Sequence, residues 1–369
     1  MQLWIEINRA ALKHNFRAVQ TLIGEKTGVI AVVKANAYGC GAVECARLFA
    51  AEGAAMLAVT RLEEGLELRA GGIEAPILLL APPSPEERAD VIARDLVPAV
   101  QSFEECVEWQ NTAATIGKKM RAHLKVNTGM NRFGCSPKRV AEILGRSNKF
   151  ENFELEAVFT HFANATDKEG EPTQTQFQQF QDSVYGATGR KYHVCNSAAT
   201  LRFPEMRLDF VRPGTLLFGQ YPASWLQSQT DLKLCDPFQP VARVVAIQKL
   251  KAGDTVGYGG EWTAKSDATI AVLAAGYADG LTMEPRARPE SPLDAIRSGV
   301  ERAVRLKKNP LLGRTATIRG KKVAFVGRFA MQTSFLDVSQ VEGVQIGDEA
   351  RFSMRRLAAG AHVPRLYLD

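Results

Sequence analysis

Lys34 closes an apolar run that leads into VVKANAYGCG (Val32 to Gly41). Such an amine is either a rim lysine at the surface or a desolvated amine with a lowered pKa, able to form an imine. Spacing alone leaves both readings open. Other polar residues stand at the ends of later β-rich runs: His161 in FTHF, Asn196 and Ser197 in HVCNSAAT, and Arg212 and Gly214 in RPGTLLFG. Ser197, Gly214 and Thr215 suit a phosphate, which backbone N–H groups and a hydroxyl hold well near the last two strands of a barrel. Singly, Ser197 reads equally as a helix cap and Gly214 as a turn. Together they favour a phosphate-bearing ligand. Tyr258 lies among glycines and Tyr277 sits in GYADG; on spacing alone each reads as structural.

The elements that must position these residues alternate. Eight β-rich runs are spaced along the first two thirds: Gly28 to Lys34, Met56 to Thr60, Ile77 to Leu80, Leu96 to Val100, Arg121 to Val126, Leu155 to Phe159, Tyr192 to Cys195 and Asp209 to Val211. Helical stretches fall between them: Ala42 to Glu52, Leu62 to Ala70, Glu86 to Ala93, Ser102 to Ala113, Pro137 to Arg146 and Thr173 to Tyr185. Ser84-Pro85 and Ser136-Pro137 place an N-cap residue before an N1 proline. The class is therefore α/β, with an N-terminal (β/α)8 barrel. A doubly wound sheet would bring a Gly-rich first turn, and no GxGxxG stands there.

After about Asp231 the pattern changes to short β-branched runs: Val241 to Lys249, Ala268 to Leu273, Thr315 to Ile318, Val323 to Val326 and Phe335 to Val338. These predict a C-terminal mainly-β domain. The expected division is 8–231 for the barrel, and 1–7 plus 232–369 for the β-rich domain. An insert from Glu284 to Lys308 carries Ser291-Pro292 and an amphipathic basic stretch, which reads as one surface helix in a loop.

Bulk properties narrow the function classes. A chain of 369 residues, 46% hydrophobic, can bury a core in each of two domains. Its net charge of +6 is scattered, apart from a run at Arg302 to Lys308. With no aromatic-interleaved basic stripe, nucleic-acid binding is not expected. Six cysteines without CxxC spacing read as reduced thiols, and no metal site is expected. The opening MQLWIEINRAALKHNF lacks an apolar signal core, and no segment approaches a membrane span, so the expectation is cytoplasmic with no membrane partner.

VVKANAYGCG resembles the cofactor-binding signature of alanine racemases. Further segments resemble that family in the same order: HLKVNTGMNRFG (His123 to Gly134), THF (Thr160 to Phe162), HVCNSAAT (His193 to Thr200), RPGTLLFG (Arg212 to Gly219), VGYGGEWTA (Val256 to Ala264), GYADG (Gly276 to Gly280) and VGRFAM (Val326 to Met331). The opening WIEI and the closing HVPRLY do so as well. The likeness covers nearly the whole chain apart from the insert and a shortened stretch from Glu349 to Arg356.

The resemblance implies pyridoxal 5'-phosphate as cofactor, a small amino acid as substrate, and a homodimer with composite active sites. Lys34 matches the Schiff-base lysine, and Tyr258 the opposing catalytic tyrosine, which reaches in from the partner subunit. Tyr38, Ser197, Gly214 and Thr215 match phosphate contacts, with Asn196 beside them. Arg212 matches the arginine facing the pyridine nitrogen, supported by His193. His161 matches the residue packed beside the cofactor ring. Arg132 matches the arginine near the cofactor hydroxyl and the substrate carboxylate. Tyr277 and the Met331 backbone N–H match substrate-side groups from the partner. Lys125 matches a lysine that is often carbamylated and orients the arginine.

The implied reaction interconverts L- and D-alanine through the cofactor aldimine, by proton transfer between two bases, and supplies D-alanine for peptidoglycan. An arginine at the pyridine nitrogen keeps that nitrogen unprotonated, which weakens the electron sink and disfavours side reactions. Three other readings compete: a racemase of another or broader range such as serine, a barrel-type amino-acid decarboxylase, and a non-catalytic cofactor-binding homologue. Arg212 argues against the decarboxylases, which resemble this family but place an acidic partner at that nitrogen. Several residues depart from the family pattern. Asn127 and Gln332 stand where aspartates are usual, Ala330 precedes Met331, Cys40 replaces a histidine, and Phe352 stands where a phosphate-touching tyrosine is reduced or missing. These departures predict weaker cofactor retention, altered substrate breadth, or both.

Overall fold

The computed structural model describes residues 1–281, Ile296 and 315–369. The insert expected as a surface helix lies outside the described residues apart from Ile296. The described chain divides into two compact units, Arg9–Pro237 and Met1–Asn8 with Phe238–Asp369. The first strand, β1 (Leu3–Asn8), belongs to the second of these.

In the first unit, eight strands follow: β2 (Gly28–Val32), β3 (Met56–Val59), β4 (Ile77–Leu79), β5 (Leu96–Val100), β6 (Met120–Lys125), β7 (Phe153–Phe159), β8 (Lys191–His193) and β9 (Phe210–Val211). They pair in parallel in the order β8-β7-β6-β5-β4-β3-β2-β9. The two edges meet through single contacts. Asp209 donates its N–H to Tyr192 O at 3.1 Å, and Arg212 donates to Cys195 O at 2.9 Å. The sheet is thus a nearly closed barrel, as the alternation of elements predicts.

Alternate residues of β2 to β5 and of β9 form an apolar interior: Ile30, Val32, Met56, Ala58, Leu78, Val97 and Phe210. Strands β6 to β8 instead bury His123, Lys125 and His193. A register shift between Ala122 and His123 on the β7 side falls beside the first of these. Such an irregularity re-aims a side chain. The sequence runs the strands one or two residues too far, to Lys34, Thr60, Val126 and Cys195. Those residues leave the ladder to begin the loops at the barrel mouth.

The expected helices are present at Ala42–Ala51, Leu62–Ala70, Arg88–Ala93, Phe103–Ile116, Val140–Ser147 and Glu171–Ser183. Short 3₁₀ turns start at Pro85 and Pro137, after Ser84 and Ser136. Ser102 caps its helix, its side chain accepting from Glu105 N–H at 3.1 Å. One long helix escapes the periodicity reading, besides the short ones at Ser197–Arg202 and Ser224–Gln227. Arg9–Ile23 buries Ala11, Leu12, Asn15, Phe16 and Val19 along one stripe, but its polar Asn15 interrupts the apolar pattern. That side chain is recruited to the backbone at Leu217 and Cys235, donating at 3.3 and 2.8 Å.

In the second unit, β10 (Phe238–Leu250), β11 (Thr255–Val256), β12 (Trp262–Thr263), β13 (Ala268–Leu273), β14 (Thr315–Ile318), β15 (Lys321–Val326), β16 (Ser334–Asp337), β17 (Glu349–Phe352) and β18 (Arg365–Leu368) follow. The main sheet is β13-β16-β15-β14-β17-β10-β1-β18, and β13 also pairs with β10. Six strands therefore close on one another, with β1 and β18 as an extension. Its core holds Val244, Leu273, Ile318, Phe325, Leu336 and Phe352. Phe352 packs edge-on to Phe325, with ring centroids 6.1 Å apart. It is a core residue of this unit.

Candidate active site

Lys34 leaves β2 at the C-terminal mouth of the barrel and is half-buried. The chain then takes an unusual course. Ala35, Asn36, Ala37 and Tyr38 all have φ between 51° and 54°. Left-handed conformations cost L-residues about 1–2 kcal/mol each and normally occur singly. This run is held by many ties. Ala37 N–H donates to Val33 O at 2.8 Å, and Asn36 O accepts from Gly39 and Gly41 at 2.9 and 3.0 Å. Asn36 Oδ1 accepts from Ala42 N–H at 2.8 Å. Glu64 Oε1 accepts from Ala35 N–H at 2.6 Å. The Lys34 amine is held below its ordinary pKa by burial and by the charge of Arg132, against the pull of Glu64.

The turn delivers Tyr38 to a set of small and hydroxylic residues. Its ring packs on Phe218, centroids 5.1 Å apart, and burial pushes its hydroxyl up to about 12. Gly214 is required here, since a Cβ at that position would lie 2.2 Å from Tyr38 Oη. Gly214 N–H donates to Ser197 Oγ at 2.9 Å, which leaves the Ser197 hydroxyl proton to donate elsewhere. Thr215 Oγ1 is buried with no hydrogen-bond partner among the described residues. Asn196 caps the helix Ser197–Arg202 through Ala199 N–H at 3.0 Å.

Arg212 is 3% exposed. Its Nη1 lies 2.7 Å from His193 Nδ1 and donates to His193 O at 2.7 Å. Its Nη2 donates to Thr160 O at 2.6 Å and to Val194 O at 3.1 Å. His193 Nε2 in turn lies 2.9 Å from His123 Nδ1. Burial, then the Arg212 charge, holds His193 well below its ordinary pKa. The same two causes, in the same order, lead among those acting on His161 and bring His123 to about 3.

Lys125 is buried and donates to Leu80 O at 3.0 Å. Its ammonium stands over the rings of Phe133 and Phe159, at 5.1 and 5.3 Å. Burial first, then the charges of Arg132 and Arg212, lower its pKa to about 7. Arg132 itself is exposed, on a loop organised by Asn127. Asn127 Oδ1 accepts from Gly129 and Asn131 N–H at 3.1 and 3.0 Å, and its amide donates to Asn131 Oδ1 at 3.0 Å. The residue standing where an aspartate is usual therefore still works as the acceptor of this turn.

A cavity of about 230 Å³ is lined by Lys34, Tyr38, His161, Asn196, Ser197, Arg212, Gly214 and Thr215, with Leu80 and Thr166 beside them. The barrel thus gathers eight of the expected site residues around one hollow. Lys125 and His193 lie beneath it, and Arg132 does not line it. The donor set matches a phosphorylated aldehyde: three hydroxyls, one of them orphaned, near an amine of lowered pKa. A larger cavity of about 560 Å³ opens where β6 and β7 begin, lined by Met120, Arg121, Phe153 and Glu154 among others. That is the opposite mouth, and barrels of this kind place their chemistry at the C-terminal one.

The remaining three residues belong to the β-rich unit. Tyr258 sits in a turn between β11 and β12, with Gly257, Gly259 and Gly260 at φ of 75°, 72° and 57°. It is 69% exposed. Tyr277 N–H donates to Ala330 O at 3.0 Å, and Ala278 N–H to Met331 O at 2.9 Å. A Cβ at Gly276 would lie 2.3 Å from both carbonyl oxygens, so only glycine lets these loops touch. Asp279 Oδ2 accepts from Gly276 N–H at 2.9 Å, and His362 Nε2 lies 3.0 Å from the other carboxylate oxygen. Tyr277 and Met331 are thereby held as neighbours.

Sequence reasoning missed Glu64, Thr160 and His123. Glu64 carried a signal, being the third residue of a helix that opens at Leu62, where a carboxylate often reaches back to the backbone. His123 stands two residues before Lys125 and so shares its inward face.

Comparison with known proteins places the chain. Residues 7–222 match the family described as "Alanine racemase, N-terminal domain", and residues 238–360 the one described as "Alanine racemase, C-terminal domain". The chain is 33% identical to an alanine racemase of Caldanaerobacter subterraneus subsp. tengcongensis, over 94% of this chain and 84% of that one. It is 32% identical to the alanine racemase of Desulforamulus reducens, over 99% of both. The solved alanine racemase of Clostridium difficile 630 superposes with a TM-score of 0.86 at 30% identity, covering 100% of this chain and 96% of that one.

Proposed function

We propose, for a chain that belongs to the alanine racemase family and interconverts L- and D-alanine, a two-base proton transfer between Lys34 and Tyr258. Family membership implies dependence on pyridoxal phosphate. Tyr38, Ser197, Gly214 and Thr215 would hold its phosphate, Arg212 would stand at its ring nitrogen, and His161 would pack beside its ring. When bound, the cofactor acidifies the α-proton of the amino acid and provides the electron sink.

The chain's own residues do the rest. Inverting a stereocentre needs a base on each face of Cα. One of Lys34 Nζ and Tyr258 Oη removes the Cα proton, and the other delivers a proton to the opposite face. In the reverse direction the roles exchange. The lowered pKa of Lys34 suits a group that must both take and give a proton near neutral pH. Arg212, fixed by four hydrogen bonds, would present a donor and a positive charge to the ring nitrogen, a setting that would disfavour protonation there. Arg132 holds the substrate carboxylate together with the Met331 backbone N–H, and Tyr277 bounds the substrate side. Lys125, with its pKa near 7, holds a neutral fraction that carbon dioxide can carbamylate, and the resulting anion would orient Arg132.

Tyr258, Tyr277 and Met331 come from a second copy of the chain in a homodimer with two composite sites. Their exposure of 69%, 44% and 63% supports completion of the site from outside. Cytoplasmic supply of D-alanine to peptidoglycan is part of the same reading.

The single observation that carries the mechanism is the convergence of Lys34 with Tyr38, Ser197, Arg212 and Thr215 on one cavity. The test mixes the purified protein and pyridoxal phosphate with L-alanine, and follows D-alanine by chiral chromatography. D-alanine is expected from the unaltered chain and not from Lys34→Ala. Undiminished D-alanine from Lys34→Ala would overturn the assignment.

A further inference from the structure

We propose that Glu64 is the positioning residue for Lys34. Its carboxylate ties the left-handed turn after the lysine to the end of the neighbouring strand, and it supplies the negative charge beside which the lysine titrates. The inference rests on Lys34 being the cofactor lysine.

Glu64 is half-buried and uses both carboxylate oxygens. Oε1 accepts from Ala35 N–H at 2.6 Å. Oε2 accepts from Thr60 N–H at 2.8 Å and from Arg61 N–H at 3.0 Å. Ala35 is the first residue of the left-handed run, so its N–H is the one that begins the turn. Thr60 and Arg61 follow β3, whose Ala58 O accepts from Val33 N–H at 2.9 Å. The residue on each side of Lys34 is therefore fixed to the same stretch of chain, Val33 by the sheet and Ala35 by Glu64.

The charges point the same way. Arg132 pushes the Lys34 amine toward its neutral form and Glu64 opposes it. Lys34, Arg132 and Lys125 also act on His161, as does Arg212, all in the sense of crowded positive charge. Against these cations, Glu64 pulls the Lys34 amine back toward its protonated form. A capping glutamate in an ordinary helix has no such neighbour. The short loop between β3 and its helix brings this one to the barrel mouth.

Charge and geometry can be separated by two substitutions. Glu64→Gln keeps the size but removes the charge and one acceptor oxygen. Glu64→Asp keeps the charge but is too short to reach Ala35 from the helix. The full chain, freed of cofactor with hydroxylamine, is mixed with pyridoxal phosphate at graded pH and trapped with borohydride. The Lys34 adduct is then measured by peptide mass spectrometry. In Glu64→Gln the midpoint of the rate against pH is expected to move down by about half a unit or more. In Glu64→Asp the midpoint is expected to hold while the cofactor dissociation constant rises about tenfold.

A general loosening of the fold would lower the rate at every pH without moving the midpoint. An unmoved midpoint in Glu64→Gln, with adduct still on Lys34, overturns the electrostatic part. A parental dissociation constant in Glu64→Asp overturns the tie, and this holds even if Glu64→Gln fails to fold. Absence of adduct at Lys34 in the unaltered chain overturns the reading of Lys34 instead.

Discussion

Arg212 Nη1 lies 2.7 Å from Nδ1 of His193, inside the barrel. A guanidinium has no lone pair to accept with, so His193 Nδ1 must be the acceptor and carry no proton. The neutral ring then holds its proton on Nε2 and donates to His123 Nδ1 at 2.9 Å. His123 in turn must carry its proton on Nε2, which has no partner among the described residues. One contact thus assigns two tautomers by the logic of the network. It also leaves Arg212 a full positive charge to present at the barrel mouth.

This chain of neutral imidazoles makes the fold acid-sensitive. His193 and His123 are held below the ordinary histidine pKa, His123 at about 3. Above pH 6.5 they are neutral in both folded and unfolded chains and add no pH dependence. Below it the unfolded chain takes up protons that the folded chain refuses, so stability falls as pH drops from about 6.5 toward 3. The slope is up to about 1.4 kcal/mol per pH unit for each group. Urea titrations at pH 7.5 and 5.5 measure it. His123→Gln, whose carbonyl can still accept from His193, should show the slope reduced by one group's worth. An unchanged slope would contradict the assignment.

Gly214 makes a close approach to Tyr38 in the proposed phosphate cradle. An alanine there brings a methyl to within 2.2 Å of Tyr38 Oη, so the ring must move from Phe218 or the Gly214 loop must shift. Overpacking of this kind costs about 1–3 kcal/mol. We expect Gly214→Ala to fold with a lower melting temperature and to bind pyridoxal phosphate at least about tenfold more weakly. Equilibrium dialysis against the cofactor reads the second effect. Unchanged affinity would remove Gly214 and Tyr38 from the phosphate site.

How much of this was legible beforehand divides along physical lines. The barrel strands announce themselves because each is a short apolar run between polar periodic stretches, and Lys34, His161, Asn196 and Arg212 lie just past their ends. The left-handed turn at Ala35 to Tyr38 gives no such sign. Alanine and tyrosine carry no preference for positive φ, and only tertiary ties such as Glu64 impose it. The Arg212–His193–His123 chain is equally hidden, because it joins three strands whose order in space, not in sequence, brings the rings together. Asn127 taught the reverse: read as a lost charge, it proves to be a turn residue whose acceptor matters most.

That last point gives a direct test. Asn127→Asp retains the oxygen that accepts from Gly129 and Asn131, and loses only the amide donated to Asn131 Oδ1. Its effect on stability should stay within about 1 kcal/mol. If the charge matters for substrate binding through Arg132, KM for alanine should change while the melting temperature holds. Steady-state kinetics beside thermal melts separate the two, and a large drop in melting temperature would show that the turn depends on the amide.

Tyr258 is held out by three glycines at positive φ and has no hydrogen-bond partner among the described residues. A phenylalanine fits the same turn, so Tyr258→Phe should fold and bind cofactor as the parent does. Losing an acid–base group should lower kcat in both directions by about 10²–10⁴-fold. Isotope exchange at Cα in D₂O sharpens the test. Lys34 should still exchange the proton on its own face, so one enantiomer should exchange without inverting. Equal loss of exchange from L- and D-alanine would refute a two-base division.

Lys125 carries the same sign of pH dependence as the histidines, but over an alkaline window. Its folded pKa is about 7, lowered by burial first, against 10.5 for the free side chain. Between those values the unfolded chain holds a proton that the folded chain has released, so this group makes stability rise with pH from about 7 toward 10. Below pH 7 the folded lysine is charged inside the barrel, with one bond to Leu80 O and the faces of Phe133 and Phe159 for company. Methionine fills a similar volume without that desolvation cost. Lys125→Met should therefore be more stable than the parent at pH 6, by an amount on the order of a few kcal/mol. The advantage should shrink steadily toward pH 10. Denaturant titrations of both chains across that range decide the matter: a constant difference means that Lys125 keeps its proton throughout, and a variant less stable at pH 6 means that its bonds outweigh its burial.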